Sequence, residues 1–125
     1  MSTMSEAKKV NVLGTDYTIR RVDSGQDEYM EKMHYGGYCD AVALEIVILN
    51  LKSTKEWENE TDEYIKKKEN ETFRHELFHA FLNESGLQWD SHTPDSAWAK
   101  NEEMIDWLAI QSPKIFKLFK ELDIL

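Results

Sequence analysis

The sequence has few residues that cross-link or stiffen a chain: its 125 residues include one cysteine, two prolines and five glycines. The single cysteine, Cys39, excludes an internal disulfide, which fits a reducing cytosol. Long apolar runs are missing too, since none approaches the length of a membrane span and the first nine residues lack an apolar signal-peptide core. These absences predict a cytoplasmic protein without a membrane partner.

Positive charge is also scarce. The chain has 15 Lys and Arg against 24 Asp and Glu, which gives a formal net charge of −9. Because nucleic-acid backbones bind basic surfaces, we expect no nucleic-acid partner. Hydrophobic residues make up 41% of the sequence, which is typical of a folded protein. The length predicts a single domain over residues 1–125, with the polar residues 1–7 disordered and the oligomeric state left open.

The first half of the sequence favours β-structure. Four stretches have the alternation or the apolar runs of strands: residues 9–13, 17–22, 38–42 and 43–51. Gly14-Thr15-Asp16 separates the first two stretches and predicts a hairpin. Residues 43–51 are rich in Ile, Val and Leu, so this strand is expected in the centre of the sheet or under the helices. Residues 27–33 fit either a short helix or a loop.

The second half favours helices, which are predicted over residues 61–85, 94–111 and 114–122. Gly86 is expected to cap the first helix at its C-terminus. Thr93-Pro94 and Ser112-Pro113 each have the form of a helix start, an N-cap residue followed by proline at the first helical position. Strands followed by helices indicate an α+β fold.

The first of these helices contains the motif H-E-x-x-H, formed by His75, Glu76 and His79. Residues four apart lie on one face of a helix, so both imidazoles can reach one ion. Glu76 points about 100° round the axis, beside the ion. This is half of a zinc hydrolase site, with the glutamate as general base. A chance pair of histidines is disfavoured because unpartnered polar groups are costly to bury in an apolar helix.

A catalytic zinc takes three protein ligands and leaves one position for water. Neither remaining histidine extends the motif, because His34 precedes a glycine pair and His92 lies in a short loop. Six residues after His79 the chain has Ser85 rather than a third histidine. The third ligand is therefore expected among the downstream carboxylates.

Glu102 and Asp106 share one face of the predicted second helix, four residues apart. The apolar members of this face are Trp98, Ile105 and Ala109. Such a face is expected to pack inward, and an acidic pair on it is hard to explain unless it meets a cation. Glu103 points about 100° away, towards the edge of the face.

His75-Glu76-x-x-His79 followed by Asn101-Glu102-x-x-x-Asp106 resembles the gluzincin arrangement of thermolysin-like peptidases. The resemblance implies zinc bound by His75, His79 and Glu102, with Asp106 hydrogen-bonded to a ligand histidine. By size and order, residues 37–87 are similar to small phage and bacterial peptidases of the ImmA/IrrE kind, which pair a minimal zincin domain with control of repressors. This implies a small N-terminal sheet packed on the motif helix and two C-terminal helices.

These features predict a zinc-dependent peptidase with a specific protein or peptide substrate, such as a repressor in a phage or mobile-element context. Zincins bind substrate as an added strand on a sheet edge, which we expect within residues 38–51. Tyr35, Tyr38 and His92 are candidates for oxyanion stabilisation or substrate contact, although each also fits a packing or loop role. Two alternatives stay open: a zinc-binding regulatory protein with little turnover, and a helical interaction module without metal.

Overall fold

In a computed structural model that describes residues 7–33 and 36–125, the chain folds into a four-stranded mixed sheet and three α-helices. The strands are β1 (Lys8–Val12), β2 (Thr15–Val22), β3 (Gly37–Asp40) and β4 (Glu45–Leu49). The helices are α1 (Glu28–Met33), α2 (Asp62–Glu84) and α3 (Glu102–Glu121). The α+β prediction is confirmed. None of the helices in this described part is long and apolar enough to cross a membrane.

β1 and β2 form the predicted hairpin, but its turn is Leu13-Gly14 rather than Gly14-Thr15-Asp16, because Thr15 and Asp16 already pair with β1. Leu13 and Gly14 both have positive φ, 49° and 100°, which is the type I′ geometry that suits the twist of two strands. The side-chain oxygen of Asn11 accepts the Gly14 N–H at 2.9 Å and fixes the turn. Strand β2 consequently begins at Thr15, and Tyr17 is fully buried, as the alternation predicts.

β4 is the central strand, as its apolar sequence predicts. The strand order is β1-β2-β4-β3, with β4 parallel to β2 and antiparallel to β3. Ile46 and Ile48 pack with Ala80 of α2 on one face of the sheet, while Val47 packs with Met30 of α1 on the other. β4 lies between β2 and β3, so neither of its edges is free. The open edge of the sheet next to α2 therefore belongs to β3.

α2 has the predicted ends. The side-chain oxygen of Thr61 accepts the Tyr64 N–H at 3.2 Å, and Gly86 follows the helix with a φ of 81°. α2 lies unusually close to β3 at Gly37, where a Cβ atom would stand 2.9 Å from Cγ2 of Thr72. The missing side chain of Gly37 therefore brings the motif helix close to the edge strand.

The predicted pair of C-terminal helices is wrong, because residues 102–121 form one continuous helix. Thr93 does not cap a helix: its hydroxyl donates to Asp90 Oδ2 at 2.8 Å, and Pro94–Ser96 makes only a 3₁₀ turn. The helix begins where Asn101 accepts the Met104 N–H at 2.9 Å. The predicted start at residue 94 is therefore corrected to residue 102.

Pro113 lies inside α3, where a new helix was predicted to begin. Proline has no N–H, so the carbonyl four residues earlier, on Ala109, loses its helical donor. Arg74 of α2 supplies a replacement, since its Nε–H donates to that carbonyl at 2.7 Å. Ala109 is 1% exposed, so the bond satisfies a buried acceptor and lets the helix continue through the proline.

This arrangement predicts that the effect of Arg74→Met depends on residue 113. Alone, the substitution should destabilise the fold by about 1–3 kcal/mol, because the buried Ala109 carbonyl loses its donor. With Pro113→Ala, the new N–H restores the helical bond, and the cost should fall by about 1 kcal/mol or more. Urea unfolding of the four proteins, all in chelator, measures the difference. Equal costs in both backgrounds would contradict the role of this bond.

Beyond Ser112 the apolar side chains of α3 lie largely in solvent. Phe116, Leu118 and Leu122 are each exposed to about half, at 48%, 52% and 59%. Phe116 continues the helical face that carries the buried residues Ile105 and Ala109. The contact between α2 and α3 therefore covers the N-terminal half of α3 rather than its end.

Candidate metal centre

α2 presents His75 and His79 on adjacent turns, and the start of α3 faces both. The two Nε2 atoms are 3.2 Å apart. The carboxylate of Glu102 lies across them, with Oε2 3.0 Å from His75 Nε2 and Oε1 2.8 Å from His79 Nε2. His75, Glu76 and His79 also offer one ligand atom each within 4.8 Å of one another. The structure thus brings together the predicted residues from both helices.

Each imidazole is oriented by an acceptor at its other nitrogen. His75 Nδ1 donates to Asp106 Oδ1 at 2.8 Å, and His79 Nδ1 donates to the Ala99 carbonyl at 2.6 Å. A carbonyl can only accept, so the bond to Ala99 places the ring hydrogen of neutral His79 on Nδ1. Both nitrogens of His75 face carboxylates; in the tautomer that donates to Asp106, its Nε2, like that of His79, carries a lone pair directed at the point between the two rings and Glu102.

In this state the point between the two Nε2 atoms and the Glu102 carboxylate is surrounded by hydrogen-bond acceptors. The nitrogen and oxygen atoms stand 2.8–3.2 Å apart with no hydrogen to share while the rings are neutral. Burial lowers the pKa of His79 even though Glu102 is beside it, which disfavours the protonated ring. Tetrahedral ligands about 2.1 Å from a zinc-sized ion lie roughly 3.4 Å apart, so the observed spacing is close to that of a coordination shell.

Glu76 is the buried acid of the site, with 7% of its surface exposed. Burial, together with the charges of Glu102 and Asp106, raises the pKa of Glu76 to about 8. A bound cation would favour the ionised carboxylate and lower this value. Glu76 therefore lies beside the donor atoms as a carboxyl group that a bound cation would keep ionised and able to accept a proton.

The donor atoms open into a cleft of about 480 Å³ that is bordered by the edge strand β3. Leu49 N–H donates to the Gly36 carbonyl at 2.9 Å, so the alternation of antiparallel pairs turns the backbone groups of Gly37 and Cys39 away from β4. Burial and the nearby Glu76 raise the pKa of the Cys39 thiol to about 12. The cleft therefore combines a candidate cation site with an open strand edge.

Two of the three predicted contacts, Tyr38 and His92, are engaged or located elsewhere. Tyr38 borders the cleft, but its hydroxyl donates to Asp27 Oδ2 at 2.8 Å. His92 lines a separate cavity of about 520 Å³. Tyr35 and His34 lie outside the described residues.

Two predictions about the inward face of α3 have different outcomes. Ile105 and Ala109 are buried as predicted, whereas Trp98 is 64% exposed because it precedes the helix. Glu103 is exposed, in line with its expected position at the edge, but the side chains of Glu102 and Asp106 are also 63% and 61% exposed. The prediction that this acidic pair packs inward with Ile105 and Ala109 is therefore wrong. The face of α3 that meets the histidines is therefore defined by Glu102 and Asp106 without Trp98.

Two parts of the site were not predicted. Ala99 orients His79 through its backbone carbonyl, and the Ala99 N–H donates to the Leu87 carbonyl at 3.0 Å, which holds this segment against the end of α2. The identity of an alanine gives no signal for such a role. Lys100 lines the cleft, and its place two residues before Glu102 could have indicated this.

The donor set defines what the centre can do chemically. His75, Glu76 and His79 could hold a metal ion, and the carboxylate of Glu102 contacts both imidazoles, so these donors suit a divalent transition metal. Access from the cleft leaves room for a further ligand at such an ion. No family model, curated protein or solved structure matches the chain.

Proposed function

We propose that the protein is a zinc-dependent peptidase of the gluzincin type, with zinc bound by His75, His79 and Glu102. The observation that carries the proposal is the convergence of two Nε2 atoms and one carboxylate at 2.8–3.2 Å, with both Nδ1 atoms already donating elsewhere. Two histidines and one glutamate are a common ligand set of catalytic zinc. The small sheet packed on the motif helix also fits a minimal zincin domain.

The reaction is metal-assisted hydrolysis of a peptide bond. When bound, zinc supplies the Lewis acidity that activates water and polarises the scissile carbonyl. Glu76 accepts the proton of the attacking water and passes it to the leaving amine. Asp106 and the Ala99 carbonyl hold the two rings in place and raise the basicity of their Nε2 atoms.

The open edge of β3 is the proposed binding site for an extended substrate. An added strand would pair with the outward backbone groups of Gly37 and Cys39, which border the cleft. The substrate-binding edge was expected within residues 38–51. It is narrowed to β3, because the central strand β4 has no free edge. The substrate class is therefore an extended protein segment, and a repressor as that protein stays a prediction.

A zinc-binding regulatory protein with little turnover is the second candidate. It is favoured by one observation: the hydroxyl of Tyr38 is bound to Asp27, and His92 lines another cavity, so neither presents an oxyanion donor to the centre. A cleavage screen on a peptide library, read by mass spectrometry, separates the two functions. Stoichiometric zinc without cleavage would support the regulatory protein, and protein purified without bound metal that also takes up no added zinc would contradict both.

Metal removal should lower the melting temperature. Because the ligands come from α2 and α3, only the folded chain assembles them, and zinc at about 1,000 times its dissociation constant adds about 4 kcal/mol. For a domain of this size that corresponds to roughly 10–20 °C. Calorimetry with and without chelator measures the shift, and added zinc should restore it. An unchanged melting curve after the metal is demonstrably stripped would contradict a site between the helices.

A further inference from the structure

Lys100 places a positive charge on the wall of the cleft. Of the described residues that line the cleft, Lys100 carries the one permanent positive charge, whereas Glu76 and Glu102 are acids. Its side chain is half-buried, and Nζ lies 4.8 Å from the ring centroid of Trp89. An ammonium over an indole face is held by the attraction between a cation and a π-system. The charge of Lys100 is therefore positioned and only partly screened by solvent.

Lys100 also stands at the boundary between two cavities. Ala99 and Glu102 line the cleft, whereas Trp89 and Trp98 line the second cavity. The segment between the cavities is fixed, because the Ala99 N–H donates to the Leu87 carbonyl at 3.0 Å and the Lys100 N–H donates to the Ala97 carbonyl at 2.9 Å. Lys100 therefore lines the cleft that holds the donor atoms, while its ammonium group lies over Trp89, a residue of the second cavity.

We propose that Lys100 selects substrates that carry a carboxylate group near the scissile bond, on the side of the cleft that leads to Trp89. This inference rests on the proposed peptidase function. Apart from the zinc that the proposed function places there, Lys100 is the one cationic side chain on the described lining of the cleft, whose carboxyl groups are those of Glu76 and Glu102. A cation held at a fixed distance from the scissile bond attracts a substrate carboxylate and sets its register.

The test uses the zinc-loaded full chain and a mixture of random decapeptides with acetylated N-termini and amidated C-termini. Mass spectrometry of the products should show Asp and Glu enriched roughly three- to tenfold at one position relative to the cleaved bond, the range of a partly screened ion pair. A second mixture with free C-termini shows whether a terminal carboxylate serves equally. If only peptides cleaved near a free C-terminus were enriched, the carboxylate that Lys100 binds would be the C-terminal one of the substrate.

Substitutions at Lys100 separate a specificity role from a structural one. Lys100→Met should remove the enrichment, because the cleavage of peptides with an acidic residue at that position falls more than the cleavage of peptides with a neutral one. Lys100→Glu should replace it with enrichment of Lys and Arg at the same position. Trp89→Leu should weaken the enrichment of acids without reversing it. The matched control Lys114→Glu, an exposed position of α3 that does not line the cleft, should behave as the unsubstituted protein.

Two outcomes overturn the inference: no enrichment of acids, or an enrichment that survives Lys100→Glu. Failure of the proposed peptidase function has a different signature, which is stoichiometric zinc without cleavage of any peptide. In that case the same mixtures are captured on the immobilised zinc-loaded protein. Acidic peptides retained in a Lys100-dependent manner would keep the inference for a binding protein, and unselective or absent retention would overturn it.

Discussion

Glu76→Gln should reduce peptide hydrolysis by about 10²- to 10⁴-fold or more and leave the bound zinc in place. Glutamine has the shape of glutamate, so it fills the same buried position, but it cannot accept a proton from water. Glu76 lies beside the converging Nε2 atoms of His75 and His79, while the carboxylate of Glu102, the proposed third ligand, contacts both Nε2 atoms. Cleavage of the peptide mixture and the zinc content of the purified variant measure the two effects.

Glu63→Gln is the matched control, because Glu63 lies on the exposed first turn of the same helix. It should retain wild-type cleavage and wild-type zinc. Loss of zinc from Glu76→Gln would make Glu76 a ligand rather than a base. Cleavage that persists at the wild-type rate would contradict the general-base role and point to a contaminating protease.

Elements whose ends depend on neighbours in sequence were predicted well. The motif helix has its N-cap at Thr61 and its C-terminal glycine at Gly86, and both signals act within one turn of the chain. The hairpin and the central strand were predicted for the same reason, since alternation and a continuous apolar run are local patterns. Where a short-range signal has no competitor, sequence and structure agree.

Two features of the C-terminal half were not predicted: the start of α3 and its continuation through Pro113. The first depends on a competing hydrogen bond, and the second depends on a residue that is distant in sequence. The Thr93 hydroxyl is used by Asp90 instead of capping a helix. The carbonyl that Pro113 leaves without a donor is satisfied by Arg74, 35 residues away from Ala109. Neither bond is visible in a pattern of residue types, so the sequence alone indicates a helix start at each proline.

In the candidate site, too, the local features were predictable and the contacts between distant segments were not. His75 and His79 face one point because their separation is one helical turn, which the sequence states directly. The role of Ala99 belongs to a backbone carbonyl and could not be read from the sequence. Tyr38 was proposed as a donor to the centre, but Asp27, which also accepts the Met30 N–H at the start of α1, holds its hydroxyl.

The choice between neighbouring glutamates gives the second large expected effect. Glu102→Ala should lose most of its bound zinc, because the Glu102 carboxylate is the group that spans both Nε2 atoms. Asp106→Ala should weaken zinc binding by about 10- to 100-fold, since it frees the ring of His75 at Nδ1 without removing a ligand. Competition with a chromogenic chelator measures zinc affinity for each variant.

Two controls make this comparison decisive. Glu103→Ala removes an exposed carboxylate one residue along the same helix and should leave affinity near wild type. Asp106→Asn keeps an oxygen that can accept the His75 Nδ1–H, so it should lose less affinity than Asp106→Ala. If Glu103→Ala were the variant that emptied the site, α3 would have to turn by about 100° to bring that residue to the histidines. Such a turn would also move Ile105 out of the core, so the same variants test the packing of α3 against α2.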